Sequence, residues 1–442
     1  MGKFWKYKLL GIFILGLVMR LIAVNQSLWL DEATTALASK MSVNELFTKF
    51  LPGDFHPPLY YLLMKGWTSL FSFSEIALRI PSVIFGVATI YFVYLIARKL
   101  YDTKIGIIAS ILVATSGLLI YYSQEARMYS LAAMLVTLSV FLFLKKKWPF
   151  FGICLAVIGL TDYVALFIVP VFLFLSLKDI KKMALSLIPL FISFGLWMPI
   201  FIQQLTQGVM QKGSAWWNIL GTPTIKNILL IPTKFIFGRI GFDNKFLYGV
   251  LTLVVASLFV FLLFKARSAG KTIWYWLTLP IIVGVLISLK IPTLSYFRFL
   301  FCLPALYILL AYGIGKIEKH KYIFLALVIV INIFSSGYYL FNKKFQREDW
   351  RGASAAVGTD EIILPGSSQK EALIYYGKGG QIVKDPVGST IWLSRYVWEI
   401  SDPDSLTENR IKTLGYNKTA EYDFNGVVFW KYNKLDKYAN SY

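Results

Sequence analysis

Apolar runs of membrane-crossing length, separated by short clusters of lysine and arginine, restrict this chain more than any other feature. Runs of ~15–20 apolar residues fall near 7–24, 79–97, 105–122, 129–144, 148–161, 163–177, 183–201, 246–264, 273–289, 297–315 and 322–341. Between them stand basic groups such as Arg98, Lys99 and Lys104; Lys145, Lys146 and Lys147; and Lys316, Lys319 and Lys321. In hydrocarbon a helix satisfies its own backbone, and basic loops stay on the cytosolic side. The pattern predicts an all-α polytopic membrane bundle of about eleven transmembrane helices, thirteen at the upper count, with the first as a retained signal anchor. An odd count puts the N-terminus in the cytoplasm and everything after Phe341 outside.

Only 16% of the 442 residues are charged and 57% are hydrophobic, too little charge to coat a soluble chain of this length. The net charge of +21 sits mostly in the loops that set topology, so it does not indicate a nucleic-acid partner. Cys154 and Cys302 both lie in apolar runs and imply no disulfide framework. The chain divides into a membrane domain, 1–341, with a long first outer loop at 25–78, and a small C-terminal extracytoplasmic α/β domain, 342–442. In the second, a helix is expected from near Asp349 and another in "SSQKEALIYYGKGG". Strands are expected in "EIILPG", "TIWLSRYVW" and "GVVFWKY". The segment Pro57 to Phe71 reads as a helix in the outer interface, with Tyr60 and Trp67 at headgroup level.

The polar residues beside these runs carry the chemistry. Asp31 and Glu32 follow the first run in "SLWLDEATTAL". Acids there must face water or a polar site, and helical neighbours diverge by ~100°, so one aims at a reaction centre and the other supports it. The alternative is a helix cap at Asp31. "DFHPPLYY" holds His56 at the mouth of the interfacial helix, either as a ligand or as part of a rigid turn. "YYSQEARMYSL" places Glu125, Arg127 and Tyr129 in a turn between two spans, as a polar floor or as an interfacial ion pair. "TLSYFRFLFCLPALY" sets Tyr296 and Arg298 where an outer loop meets a span; the arginine either snorkels or grips a lipid phosphate. Arg20 and Arg79 are weaker candidates at the same interface. Lys212, Lys226, Lys234 and Arg239 make another outer loop basic, and the outer Trp216, Trp217 and Trp350 suit sugars or headgroups. Histidines and cysteines are too few for a zinc site, and no glycine loop cradles a nucleotide. A divalent cation on Asp31, Glu32 or Glu125 is the one cofactor these acids admit, without a spacing that demands it.

In order along the chain, the acidic pair, "HPPLYYLLMKGW", "SEIALRIPS", "ARKLYDTK", "SQEARMYSL", "YFRFLFCLPAL" and "REDWRGAS" resemble the C-type integral-membrane glycosyltransferases. The likeness is to the bacterial branch related to protein O-mannosyltransferases and the lipid A aminoarabinose transferase. It implies an inner-membrane enzyme, a polyprenyl-phosphate sugar donor and an active site on the outer face. An acid of the first outer loop then acts as base, which maps onto Asp31 with Glu32 beside it, and a second acidic position maps onto Glu125. Some relatives carry lysine where this chain has His56, which makes it a poorer phosphate ligand. The acceptor, whether glycan, lipid or protein, does not carry over. The rival readings are a lipid-linked oligosaccharide flippase or transporter and a polysaccharide polymerase or ligase. A transporter would gather polar groups at the bilayer midplane; here the acids collect at one face.

Overall fold

The computed structural model describes residues 3–210, 212, 217, 221–366 and 369–434; Trp216 lies outside them. Helix α1 (Lys3–Leu21) leads into an outer segment that holds α2 (Leu30–Lys40) and α3 (Leu59–Leu70). The bundle continues through α4 (Glu75–Leu100), α5 (Thr103–Thr115), α6 (Gly117–Ser123), α7 (Tyr129–Leu144), α8 (Trp148–Gly159), α9 (Val169–Leu175) and α10 (Ile180–Met210). Then follow α11 (Ile225–Phe237), α12 (Lys245–Lys265), α13 (Lys271–Ser288), α14 (Leu303–Gly315) and α15 (Lys321–Phe341). Among the described residues, 6 helical runs are long and apolar enough to cross a bilayer, and α5 with α6 forms a further candidate bent by 60°. Each apolar run read from the sequence contains helix, but α7, α8 and α9 are short for full spans. Leu196 and Phe246, 81% and 82% exposed, show how α10 and α12 turn apolar side chains outward, as a lipid-facing bundle does.

Local chemistry fixes the helix ends. Ser74 accepts a hydrogen bond from Ala77 N and caps α4, whose last turn carries Arg98 and Lys99 against the helix dipole. Asp102 caps α5 through Ile105 N at 2.8 Å. The break between α5 and α6 leaves carbonyls without helical partners inside the bundle, where each must find a donor. Arg20 of α1 supplies two, donating from Nη1 to Ala114 O (3.1 Å) and from Nη2 to Val113 O (3.4 Å). Asn332 of α15 donates to Leu112 O at 3.1 Å. Arg20 is fully buried in this task and is not available to a ligand at the interface.

The interfacial position expected for Tyr60 is corrected. α3 covers the predicted segment, but Tyr60 is fully buried and its hydroxyl meets Ser82 Oγ at 3.1 Å. Trp67, half-buried, donates to Ala77 O at 2.8 Å. Thus α3 packs down onto α4 instead of floating among headgroups.

After Phe341 come α16 (Trp350–Val357), β1 (Glu361–Ile363), α17 (Lys370–Tyr375), β2 (Thr390–Ser394), α18 (Leu406–Thr413), β3 (Tyr416–Phe424) and β4 (Val427–Lys434). The sheet order is β1-β2-β4-β3, parallel between β1 and β2 and antiparallel elsewhere. The predicted strands are present; β3 is additional. Its turn to β4 is Asn425-Gly426, with both residues at positive φ (51° and 97°), as a tight two-residue hairpin requires. Trp350 is wholly buried among Val357, Ile362, Trp392 and Phe429, so it is a core residue and not an outer sugar platform. Ala33 of α2 belongs to the same cluster. Helix α2 therefore has one side in the sheet-bearing unit and, through Ala36, another in the bundle core.

Candidate active site

Helix α2 starts after Trp29, whose backbone is extended and whose side chain makes no cap. Asp31 is thus inside the first turn and is not the cap that the sequence allowed. Glu32, wholly buried, takes Arg79 Nε at 2.8 Å, Arg79 Nη2 at 2.5 Å and the amide of Ala126 at 2.8 Å. Burial pushes the Glu32 carboxyl up, but Arg79 and these hydrogen bonds outweigh it and hold it below the ordinary value. Arg79 is completed by the carbonyls of Val24, Gln26 and Ser27. This clamp ties α2, α4 and the turn before α7 together. The Asp31 carboxylate, one step round the helix, has no hydrogen bond or ion pair among the described residues and lines a pocket.

The pocket, ≈ 110 Å³, lies where six segments meet: the start of α2, α6 with its following turn, the start of α7, the loop after α11, the 296–302 segment, and the linker into the sheet-bearing unit. Its carboxylates are Asp31, Glu125 and Glu348, its cations Arg239 and Arg347, and its aromatic wall Trp29, Tyr121, Tyr122, Tyr129 and Phe297. Arg347 lies over the Tyr121 ring at 3.8 Å, donates to the Tyr121 hydroxyl and carbonyl, and sits 2.8 Å from Glu125 Oε2. Arg239 faces the same ring at 5.0 Å and donates to the Tyr296 hydroxyl at 2.5 Å. Gly238, at φ +62°, precedes Arg239; a Cβ there would come within 3.2 Å of Gly117 C and Leu118 N, so only glycine lets the loop lie this close to α6. Burial pushes the Glu125 carboxyl up, Arg347 pulls it down, and Glu32 and Asp31 push it up again, leaving it above the ordinary value. A larger, more open groove of ≈ 580 Å³ runs along the end of α15 past Phe334, Tyr338 and Phe341. Among the described residues, its lining holds no carboxylate.

Of the residues expected here, Asp31, Glu125 and Tyr129 line the pocket, and Tyr296 touches it through Arg239. His56 and Arg127 do not line it. Arg127, almost wholly buried, donates to Tyr61 Oη (3.2 Å) and Thr35 Oγ1 (3.3 Å), and its Nη2 is 3.2 Å from His56 Nδ1. His56 lies 3.3 Å from Asp54, which accepts from Tyr61 at 2.6 Å. Burial works to raise the Asp54 carboxyl, but His56, Arg127 and Tyr61 hold it at about 2. This network braces the back of α2 and occupies both terminal nitrogens of Arg127. Arg298, expected on the leaving phosphate, donates to Pro292 O at 3.1 Å and is not on the pocket wall. The cations on that wall are Arg239 and Arg347. The signals for both were in the sequence: Arg239 in a loop basic against the topological trend, and Arg347 opening "REDWRGAS".

Both Glu32 oxygens are committed to Arg79, Glu125 faces Arg347, and among the described residues no group of three or more His, Cys, Asp and Glu is arranged to hold an ion.

Residues 55–203 match the family described as dolichyl-phosphate-mannose-protein mannosyltransferase. No curated protein matches the chain in sequence. Among solved structures, ArnT from Cupriavidus metallidurans bound to undecaprenyl phosphate is similar with a TM-score of 0.57 at 12% identity, over 97% of this chain and 98% of that one. Its apo state gives a TM-score of 0.59 at 11% identity, over 96% and 97%. The Archaeoglobus fulgidus oligosaccharyltransferase tethered with an acceptor peptide gives 0.52 at 12%, over 96% of this chain and 74% of that one. The resemblance read from the sequence is supported by the family match over residues 55–203 and by a fold like that of ArnT.

Proposed function

We propose that this chain, a polytopic membrane protein with the fold of the C-type glycosyltransferases, moves a sugar from a polyprenyl-phosphate donor to an acceptor hydroxyl on the non-cytosolic face of the inner membrane. One observation carries the reading: a carboxylate without a partner among the described residues, Asp31, shares a small pocket with two guanidinium groups stacked over one tyrosine ring. Two guanidinium groups lining one pocket suit an anion there, and a guanidinium grips phosphate oxygens in pairs.

In the proposed reaction the Asp31 carboxylate takes the proton of the acceptor hydroxyl as its oxygen bonds to the anomeric carbon. The anomeric carbon–oxygen bond to phosphate breaks, and polyprenyl phosphate leaves with the electron pair. A single displacement inverts the anomeric centre, through an oxocarbenium-like transition state. Charge grows on the leaving phosphate, so Arg239 and Arg347 act where stabilisation is largest; loss of one such donor costs ~3–4 kcal/mol of barrier. The aromatic wall of Tyr122, Tyr129 and Phe297 excludes water, which would hydrolyse the donor. The acceptor class is a hydroxyl-bearing glycan, lipid or protein. The basic clusters favour an orientation with the N-terminus in the cytoplasm and the sheet-bearing unit outside.

The test offers a panel of labelled polyprenyl-phosphate hexoses and pentoses to membranes containing the chain. Transfer with release of polyprenyl phosphate supports the reading. Movement of intact lipid-linked sugar across the bilayer, without bond cleavage, would establish the flippase instead. Asp31→Asn lowers transfer by ~10²–10⁴-fold, the span of a lost general base; undiminished transfer in that variant ends the proposal.

A further inference from the structure

Glu125 and Arg347 form a pair that borders the pocket with unusually little holding it closed. Both side chains are about 2% exposed or less, and Arg347 Nη1 is 2.8 Å from Glu125 Oε2. Yet neither Glu125 oxygen accepts a well-aligned hydrogen bond among the described residues. The two ends of the pair are anchored unequally. Arg347 keeps its place without Glu125, because Tyr121 holds it by hydroxyl, carbonyl and ring face. Its Nε is buried and has no acceptor. Glu125 has no such anchor, and Asp31 and Glu32 on α2 repel it. The pocket beside the pair is small, ≈ 110 Å³. On its wall this contact joins an anchored guanidinium to an unanchored carboxylate.

We propose that the phosphate of the lipid donor displaces Glu125 from Arg347, so that donor binding and release of this carboxyl are one event. The proposal rests on the glycosyltransferase reading above. The phosphate offers Arg347 the charge that Glu125 supplied, with non-bridging oxygens as acceptors for its unused Nε. Around Glu125, the charged groups are Asp31 and Glu32 on α2, Arg127 in its own turn, and Arg239, Arg347 and Glu348 around the pocket. Of these, Arg347 contributes most to keeping Glu125 ionised. Once the guanidinium is given over to phosphate, Glu125 sits buried beside two carboxylates and takes one proton from solvent. As a neutral acid it becomes a hydrogen-bond donor toward the sugar, leaving Asp31 as the ionised base.

The probe is farnesyl methyl phosphate, a diester that remains a monoanion between pH 5 and 8. Calorimetric titration of the full chain, in buffers of different ionisation enthalpy, reads proton uptake directly. The wild type is expected to take up a proton on binding, and its Kd to rise toward tenfold per unit of pH between the free and bound midpoints of Glu125. Glu125→Gln, checked for wild-type thermal stability, binds at least as tightly, without uptake and without that slope. Saturable binding with no proton uptake in the wild type, or with equal uptake in Glu125→Gln, overturns the proposal and leaves the enzyme reading standing. Absence of any binding overturns both.

Discussion

A rotation of ~100° per residue sends Asp31 into the pocket and Glu32 onto Arg79, and the two acids should fail in opposite ways when neutralised. Asp31→Asn removes a carboxylate with no described partner; its thermal unfolding in detergent stays near the wild type while transfer falls. Glu32→Gln leaves Arg79 buried beside a neutral group, at a cost of ~3–5 kcal/mol, and lowers the unfolding temperature sharply. That one of the pair must support the other follows from helix geometry and was legible in "LDEATT". Which one was not legible, because the partners that decide it, Arg79 and Ala126, lie 47 and 94 residues away in sequence. Asp54 gives a third prediction at this scale. Its folded value of about 2 is below the unfolded one of 3.8, so it stabilises the fold fully above about pH 4 and loses that contribution as pH falls toward 2. The size is about 2 kcal/mol, and Asp54→Asn should flatten the unfolding temperature between pH 2 and 4 relative to the wild type.

Elements were easier to read than their interruptions. The apolar runs locate the helices because hydrocarbon tolerates few alternatives. The break of 60° between α5 and α6 has only "TSG" to announce it, and its cause is spread over α1 and α15. Arg20 and Asn332 feed hydrogen to carbonyls that the bend has freed, so the direction of α6, and with it the Gln124–Arg127 turn, hangs on two distant side chains. An arginine in an apolar run suggested a ligand, whereas the bend consumes it. Asn332→Leu, which removes donors to Leu112 O and Thr115 Oγ1, should lower stability by ~1–3 kcal/mol as read by thermal unfolding. Unchanged stability would mean that the freed carbonyl finds another donor. β3 was missed for a different reason: "YNKTAEYDF" is polar and only Tyr416 of it is buried, so no period shows, while the Asn-Gly turn after it was the readable signal.

For the whole molecule, the pocket exists only where the bundle, α2 and the sheet-bearing unit meet, so the join itself should control activity. Tyr376, just past α17, carries that join. Its hydroxyl accepts from Leu28 N at 2.8 Å and lies 3.1 Å from Ser27 Oγ and 3.2 Å from Glu75 Oε1. Arg351 of α16 adds contacts to Glu75 and to the carbonyl of Asn25. These bonds fix the segment that delivers Trp29 and Asp31 on one side and hold the unit whose linker delivers Arg347 and Glu348 on the other. Tyr376 does not line the pocket, so a change there reaches the chemistry only through position. Tyr376→Phe strips the acceptor from the amide of Leu28, a loss of ~1–3 kcal/mol localised to the join. Transfer should fall severalfold in kcat, because misplacing reacting groups by a fraction of an ångström costs rate even when binding survives. Affinity for farnesyl methyl phosphate should change less, since Tyr121 still holds Arg347 through its ring and hydroxyl. Comparing the variant with wild type in both assays separates the two effects: equal losses in binding and turnover would mean that the join shapes the phosphate site, and a loss in turnover alone would mean that it sets the distance between Asp31 and the anomeric carbon.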